Sequence, residues 1–137
     1  MWESKSSWSH ADLSTLNEED MVSQMTLLES AFLTAIGKFP IYMRSPYLSC
    51  NAQCLQAMDC LGYHVVHTNL DTADWQKSMP NSKEIVEAAI AASDPASKSF
   101  IPLAHDVYEA TVTELAEYMI DSFKAKRYTL ATIGQCL

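Results

Sequence analysis

Three groups of polar residues follow β-prone apolar runs: Arg44, the stretch from Asp71 to Trp75, and His105. Imidazole and carboxylate groups exchange protons, and a guanidinium holds an anion in place. At the ends of strands in a β/α barrel such residues line the active-site face. Each also has a plainer reading. His105 can be a loop histidine bonded to a carboxylate, Asp74-Trp75 a helix start beside a packed aromatic, and Arg44 a surface or capping residue. A second chemistry is suggested by Cys50-x-x-x-Cys54 followed by His64-x-x-His67, which superficially resembles a zinc finger. Residues three apart on a strand face opposite sides, so the two histidines cannot share one ion. Nine residues between Cys54 and His64 also undershoot the usual spacing of about 12. A thiol hydrolase built on Cys50 and His105 would lack any local nucleophile signature and rests on composition alone.

The elements that must position these groups alternate. Asn17 caps a helix whose first turn is acidic, and Met21, Met25, Leu28, Phe32 and Ile36 recur at helical spacing up to Gly37. Ile41 to Met43 reads as a short strand leading to Arg44. Asn51 caps a second helix running to Gly62, and Tyr63 to Leu70 reads as one strand ending at Asp71. Ser82, Ile85, Ala89 and Ile90 mark a third helix, and Phe100 to Leu103 a short strand. Thr111 and Glu114 have capping-box spacing and open a helix through Leu115, Tyr118, Met119 and Phe123. Tyr128 to Ile133 reads as a closing strand. Helix and strand in alternation predict an α/β fold with parallel strands.

A chain of 137 residues fits one domain and can bury a real core. With 17 acidic against 9 basic side chains and a formal charge of −8, the sequence argues against a nucleic acid partner, because phosphate binding needs a surplus of Lys and Arg. No apolar run approaches a membrane span, and the polar start from Met1 to Ser6 does not read as a secretory signal. Cys60 is expected to be a buried thiol.

Four segments, in this order and spacing, resemble the polysaccharide deacetylases (carbohydrate esterase family 4), especially their fungal chitin-deacetylase branch. They are Trp8-Ser9-His10-Ala11-Asp12-Leu13, Arg44-Ser45-Pro46-Tyr47, Asp71-Thr72-Ala73-Asp74-Trp75 and Leu103-Ala104-His105-Asp106. The closing Thr132 to Leu137 matches the family's usual end. The resemblance implies hydrolysis of N-acetyl groups on chitin or chitooligosaccharides, assisted by a divalent metal, zinc in the intact family. It implies His105 as general acid and Asp74 as the residue holding its tautomer. Arg44 would orient the catalytic base, and the Tyr47 backbone N–H would donate to the oxyanion. Trp75 and Leu103 would line the pocket for the acetyl methyl, and His10 would be a metal ligand. Cys50 and Cys54 would form a local disulfide, as in fungal relatives, which fits a secreted or cell-wall location for the intact family. Cys136 resembles a family cysteine that pairs near the N-terminus.

The departures are as informative. The family's His-(Ser/Thr)-x-x-His aligns to Ser6-Ser7-Trp8-Ser9-His10, so serine stands where the first metal histidine belongs. The strand carrying two adjacent aspartates, the catalytic base and a metal ligand, has no counterpart; Glu3 is the sole acid before His10. A catalytic metal site takes three protein ligands and an open position. The expectation is a single partial domain over residues 1–137, an incomplete (β/α) barrel lacking its first strand or strands, with unpaired edges. An inactive glycan-binding remnant using Trp8, Tyr47 and Trp75, or a non-functional fragment, are the alternatives.

Overall fold

The structure is a computed structural model that describes residues 6–136. It divides into two compact units, one ending at His67 and the other beginning at Thr68.

In the first unit, α1 spans Glu18–Ile36. Asn17 caps it by accepting from the Asp20 N–H (2.9 Å), and its amide donates to the Asp20 carboxylate (2.8 Å). Met21, Met25 and Leu28 are buried along one stripe. The predicted stripe continues to Ile36, but Leu33 and Ile36 near the helix end are exposed. Gly37 ends the helix in the left-handed region at φ 69°, donating its N–H to the Leu33 carbonyl. A Cβ there would meet no atom within 4 Å, so only backbone conformation resists substitution. Gly37→Ala is expected to lower the unfolding free energy by about 1 kcal/mol in urea titrations.

The short strands β1 (Tyr42–Met43) and β2 (His64–Val65) pair in parallel, Tyr42 opposite His64 and Met43 opposite Val65. Between them runs α2 (Ala52–Cys60), capped by Asn51, whose side chain accepts from the Cys54 N–H at 2.9 Å. Leu13, Met21, Met25, Met43, Cys54 and Met58, all fully buried, form the core with Ala57 and Tyr63. Burying a methionine side chain stabilises by roughly 1.5–3 kcal/mol, and its flexibility lets it fill irregular gaps. Tyr63 sends its hydroxyl to Glu29 (2.8 Å), and burial together with that carboxylate pushes its phenol well above the ordinary value. Cys60 is exposed, contrary to expectation. The buried face of α2 carries Cys54, Ala57 and Met58, and a residue two positions beyond Met58 points away from it.

The second unit repeats the plan. β3 (Leu70–Asp71) and β4 (Pro102–Leu103) pair in parallel around α3 (Met79–Ala91), which starts three residues before the expected Ser82. The predicted strand from Tyr63 to Leu70 is therefore two separate pieces, each with its own partner. Asn69 extends the second pairing through its side chain, accepting from the Ile101 N–H (2.7 Å) and donating to the Ser99 carbonyl (2.9 Å). The last long helix, α4, covers Ala116–Ala125, and Leu70, Val86, Ile90, Leu115 and Phe123 form the core.

Two local expectations are corrected here. Thr111 does not cap a helix; Thr111–Leu115 is a π-helical turn leading directly into α4. No strand forms at Tyr128 to Ile133; instead α5 spans Ile133–Cys136. The Tyr128 ring packs on Phe100 and Phe123, with centroids 5.7 and 5.4 Å away, and its hydroxyl donates to Ser93 (2.7 Å). Leu130 is left exposed. β-propensity without a paired neighbour does not make a strand.

Candidate active site

In the second unit the site grows from the ends of β3 and β4. Thr72, fully buried, sends both its N–H (3.2 Å) and its hydroxyl (2.7 Å) to the Leu103 carbonyl, fixing the segment that delivers His105. The Asp71 carboxylate accepts from the Ala73 N–H (2.8 Å). That turns the chain through Ala73 at φ 53° into a short 3₁₀ turn, Asp74–Gln76, which ends at Lys77 with φ 57°. Non-glycine residues in the left-handed region cost on the order of 1–3 kcal/mol and tend to cluster at functional sites.

This turn places Asp74, 3% exposed, against His105. One carboxylate oxygen accepts from the His105 backbone N–H (2.6 Å) and the Thr111 hydroxyl (2.8 Å); the other lies 2.7 Å from His105 Nδ1. Burial alone would raise the Asp74 carboxyl, but the bonds from His105 and Thr111 outweigh it and hold it below its usual value. An ionised carboxylate only accepts, so Nδ1 carries the proton. Nε2 is then the nitrogen left to exchange one. The ring is part-exposed and contacts Tyr108 edge-on at 5.8 Å. Trp75 stands half exposed, whereas Leu103 is buried. Thr111 is the member of this network that sequence reasoning misassigned: it has capping-box spacing but caps no helix, and its hydroxyl donates to Asp74.

In the first unit, Arg44 follows β1 and is half-buried, and burial lowers its guanidinium from the ordinary value. No carboxylate pairs with it among the described residues. Ser45, 1% exposed, and the buried Ser7 have hydroxyls without partners there. Tyr47 and Leu48 both lie in the left-handed region, at φ 56° and 57°. The Tyr47 side chain is 70% exposed, and its N–H donates to no described residue. His10, at φ 58°, meets the Tyr47 ring edge-on, centroids 5.0 Å apart. Gln24 of α1 holds the preceding residues: its carbonyl accepts from the Trp8 N–H, and its side-chain oxygen accepts from the Ser9 N–H and hydroxyl. Cys50 and Cys54 are joined in a disulfide.

The donor set for a divalent ion does not fit. Among the described residues no three His, Cys, Asp or Glu side chains gather to hold one. From Ser6 to His10 the chain offers a single imidazole, that of His10. Asp12 is engaged in accepting from the Ser14 N–H (3.0 Å), and Glu3 lies outside the described residues.

The polysaccharide deacetylase family profile matches residues 4–66. A chitin deacetylase of Colletotrichum lindemuthianum is 41% identical over 133 residues, 95% of this chain and 54% of that protein. A chitin deacetylase of Pestalotiopsis sp is 42% identical over 132 residues, 95% of this chain and 43% of that protein. The solved Colletotrichum lindemuthianum chitin deacetylase superposes with a TM-score of 0.88 at 43% identity, covering 93% of this chain and 58% of that one. A family 4 carbohydrate esterase from Streptomyces lividans shares the fold, with a TM-score of 0.82 at 21% identity, covering 97% of this chain and 66% of that one. The chain thus spans about half the length of the relatives it matches, and its α/β architecture is a portion of their barrel.

Proposed function

We propose, from a chain that belongs to the polysaccharide deacetylase family, that the protein carrying it removes N-acetyl groups from chitin or chitooligosaccharides. The observation that carries this reading is the buried Asp74 carboxylate, which takes three donors and presents His105 with Nε2 bonded to no described residue. In this reading the charged His105 ring protonates the leaving amine from Nε2, while Asp74 keeps Nδ1 protonated and the ring oriented. The Tyr47 N–H, which donates to no described residue, is suited to an oxyanion. Arg44, with no carboxylate partner among the described residues, is suited to orienting one that acts as base. Trp75 and Leu103 are the residues for the acetyl methyl. The intact family's metal would supply Lewis acidity and an activated water, but the described residues do not provide its ligands, and the chemistry assigned to them is proton and oxyanion donation. The Cys50–Cys54 disulfide supports an oxidising, secreted or cell-wall location. No described helix is long and apolar enough to cross a membrane.

Acetate release from chitin oligomers tests the reading. His105→Ala should slow it about 100- to 10,000-fold, and equal rates for the two proteins would remove His105 from the reaction. A second reading has its own observation: Trp8, Tyr47 and Trp75 are 54%, 70% and 50% exposed, and flat amphipathic rings serve as contact surfaces when left in water. As a glycan-binding protein without turnover, the chain would show tryptophan fluorescence that shifts with chitin oligomers and no acetate. Unchanged fluorescence would dispose of that alternative.

A further inference from the structure

The two strained segments of the first unit, around His10 and around Tyr47, are tied to each other at two places. The first is the ring contact between His10 and Tyr47. The second lies four residues along in each segment. There the Asn51 backbone N–H donates to the Ser14 hydroxyl (2.9 Å), and the Asn51 side-chain amide donates to the Ser14 carbonyl (3.2 Å). Both ends of this cross-link are themselves held. Ser14 gives its N–H to Asp12, and Asn51 accepts from the Cys54 N–H while capping α2. The Cys50–Cys54 disulfide closes the same turn.

Left-handed φ values at His10, Tyr47 and Leu48 persist only where the surroundings over-determine them. Before Tyr47 the chain is held by β1, where the Met43 carbonyl accepts from the Val66 N–H (2.8 Å). Before His10 it is held by Gln24. After both residues the shared restraint is the Ser14–Asn51 pair. We propose that Ser14 and Asn51 are positioning residues, a staple that sets the direction of the Tyr47 peptide N–H and the place of the His10 ring. The role of that N–H rests on the deacetylase reading; the staple does not.

Three substitutions separate the staple from ordinary helix capping. Ser14→Ala removes the acceptor for the Asn51 N–H. Asn51→Asp keeps an oxygen to cap α2 but removes the amide donor to the Ser14 carbonyl. Ser14→Thr keeps the hydroxyl and should behave as wild type. The readout is amide hydrogen exchange and NMR of the chain. Leu48 and Ser49 donate to the Ser45 and Pro46 carbonyls (3.1 and 3.0 Å), so their exchange reports opening of the Tyr47 loop. One hydrogen bond contributes about 1 kcal/mol, so Ser14→Ala and Asn51→Asp should each speed exchange at Leu48 and Ser49 about fivefold. They should also move the His10 ring signals away from their Tyr47-shifted positions, while α2 amides such as Met58 stay protected. Unchanged exchange at Leu48 and Ser49 overturns the staple. So does an equal loss at Met58, which would mark a purely structural role. If Ser14→Ala does not fold, Asn51→Asp beside Ser14→Thr decides. None of these readouts needs turnover, so failure of the acetate assay overturns the deacetylase reading and leaves the staple to its own result.

Discussion

Replacing Asp74 by alanine is expected to lower the unfolding free energy by about 3 kcal/mol, the low end of what removing one member of a buried charged network costs. The size follows from what is stranded. The His105 N–H, the His105 ring and the Thr111 hydroxyl all lose their acceptor, in a place where Asp74 is 3% exposed and water does not readily replace it. The loss should depend on pH in one direction. His105 and Thr111 hold the Asp74 carboxyl below its usual value despite the opposing effect of burial. Its contribution is therefore fully present above the unfolded carboxyl's pKa, about 3.9, and is lost as pH falls through the lower folded value. Urea titrations of the wild type and Asp74→Ala from neutral pH downward should show a gap that is constant to about pH 5 and closes in acid. A variant as stable as the wild type at neutral pH would mean that the network is not a structural unit.

Zinc is expected to leave the stability of the chain unchanged. A ligand that binds only the folded state stabilises by RT ln(1 + [L]/Kd), about 4 kcal/mol at a thousandfold excess over Kd. A three-ligand site of micromolar affinity would announce itself at millimolar zinc as a large shift in the melt. No three His, Cys, Asp or Glu side chains gather among the described residues, and Asp12 already accepts from the Ser14 N–H, so His10 is without companions there. Calorimetry and a melt with and without zinc read this directly. A saturable one-to-one isotherm with a shift of several kcal/mol would show that other donors rebuild the site, and Glu3 would be the first to replace.

The helices of this chain are local statements, and they were legible as such. Asn17 and Asn51 cap where expected, and Gly37 stops α1 in the left-handed region, because caps and stops depend on neighbours a few residues away. The pairing of Asp74 with His105 was also readable, since strand-end position and family likeness single out both, and they meet at 2.7 Å. Their separation by thirty-one residues hid the rest of the contact. Thr111 has the spacing of a capping box, and nothing local says that its hydroxyl will turn to a buried carboxylate. Tyr128 to Ile133 carries strand-forming residues, yet Phe100 and Phe123 claim the Tyr128 ring and no neighbouring strand pairs with it. The run from Tyr63 to Leu70 looks continuous, but its halves find different partners in β1 and β4. By itself, then, the sequence determined where α1 and α2 are capped and where α1 stops, and it brought Asp74 and His105 forward as a pair. Only the tertiary structure decided which strands form, which donors satisfy Asp74 and how Ser14 meets Asn51, because hydrogen bonds between distant segments belong to the packed chain and leave no periodicity in any one stretch of it.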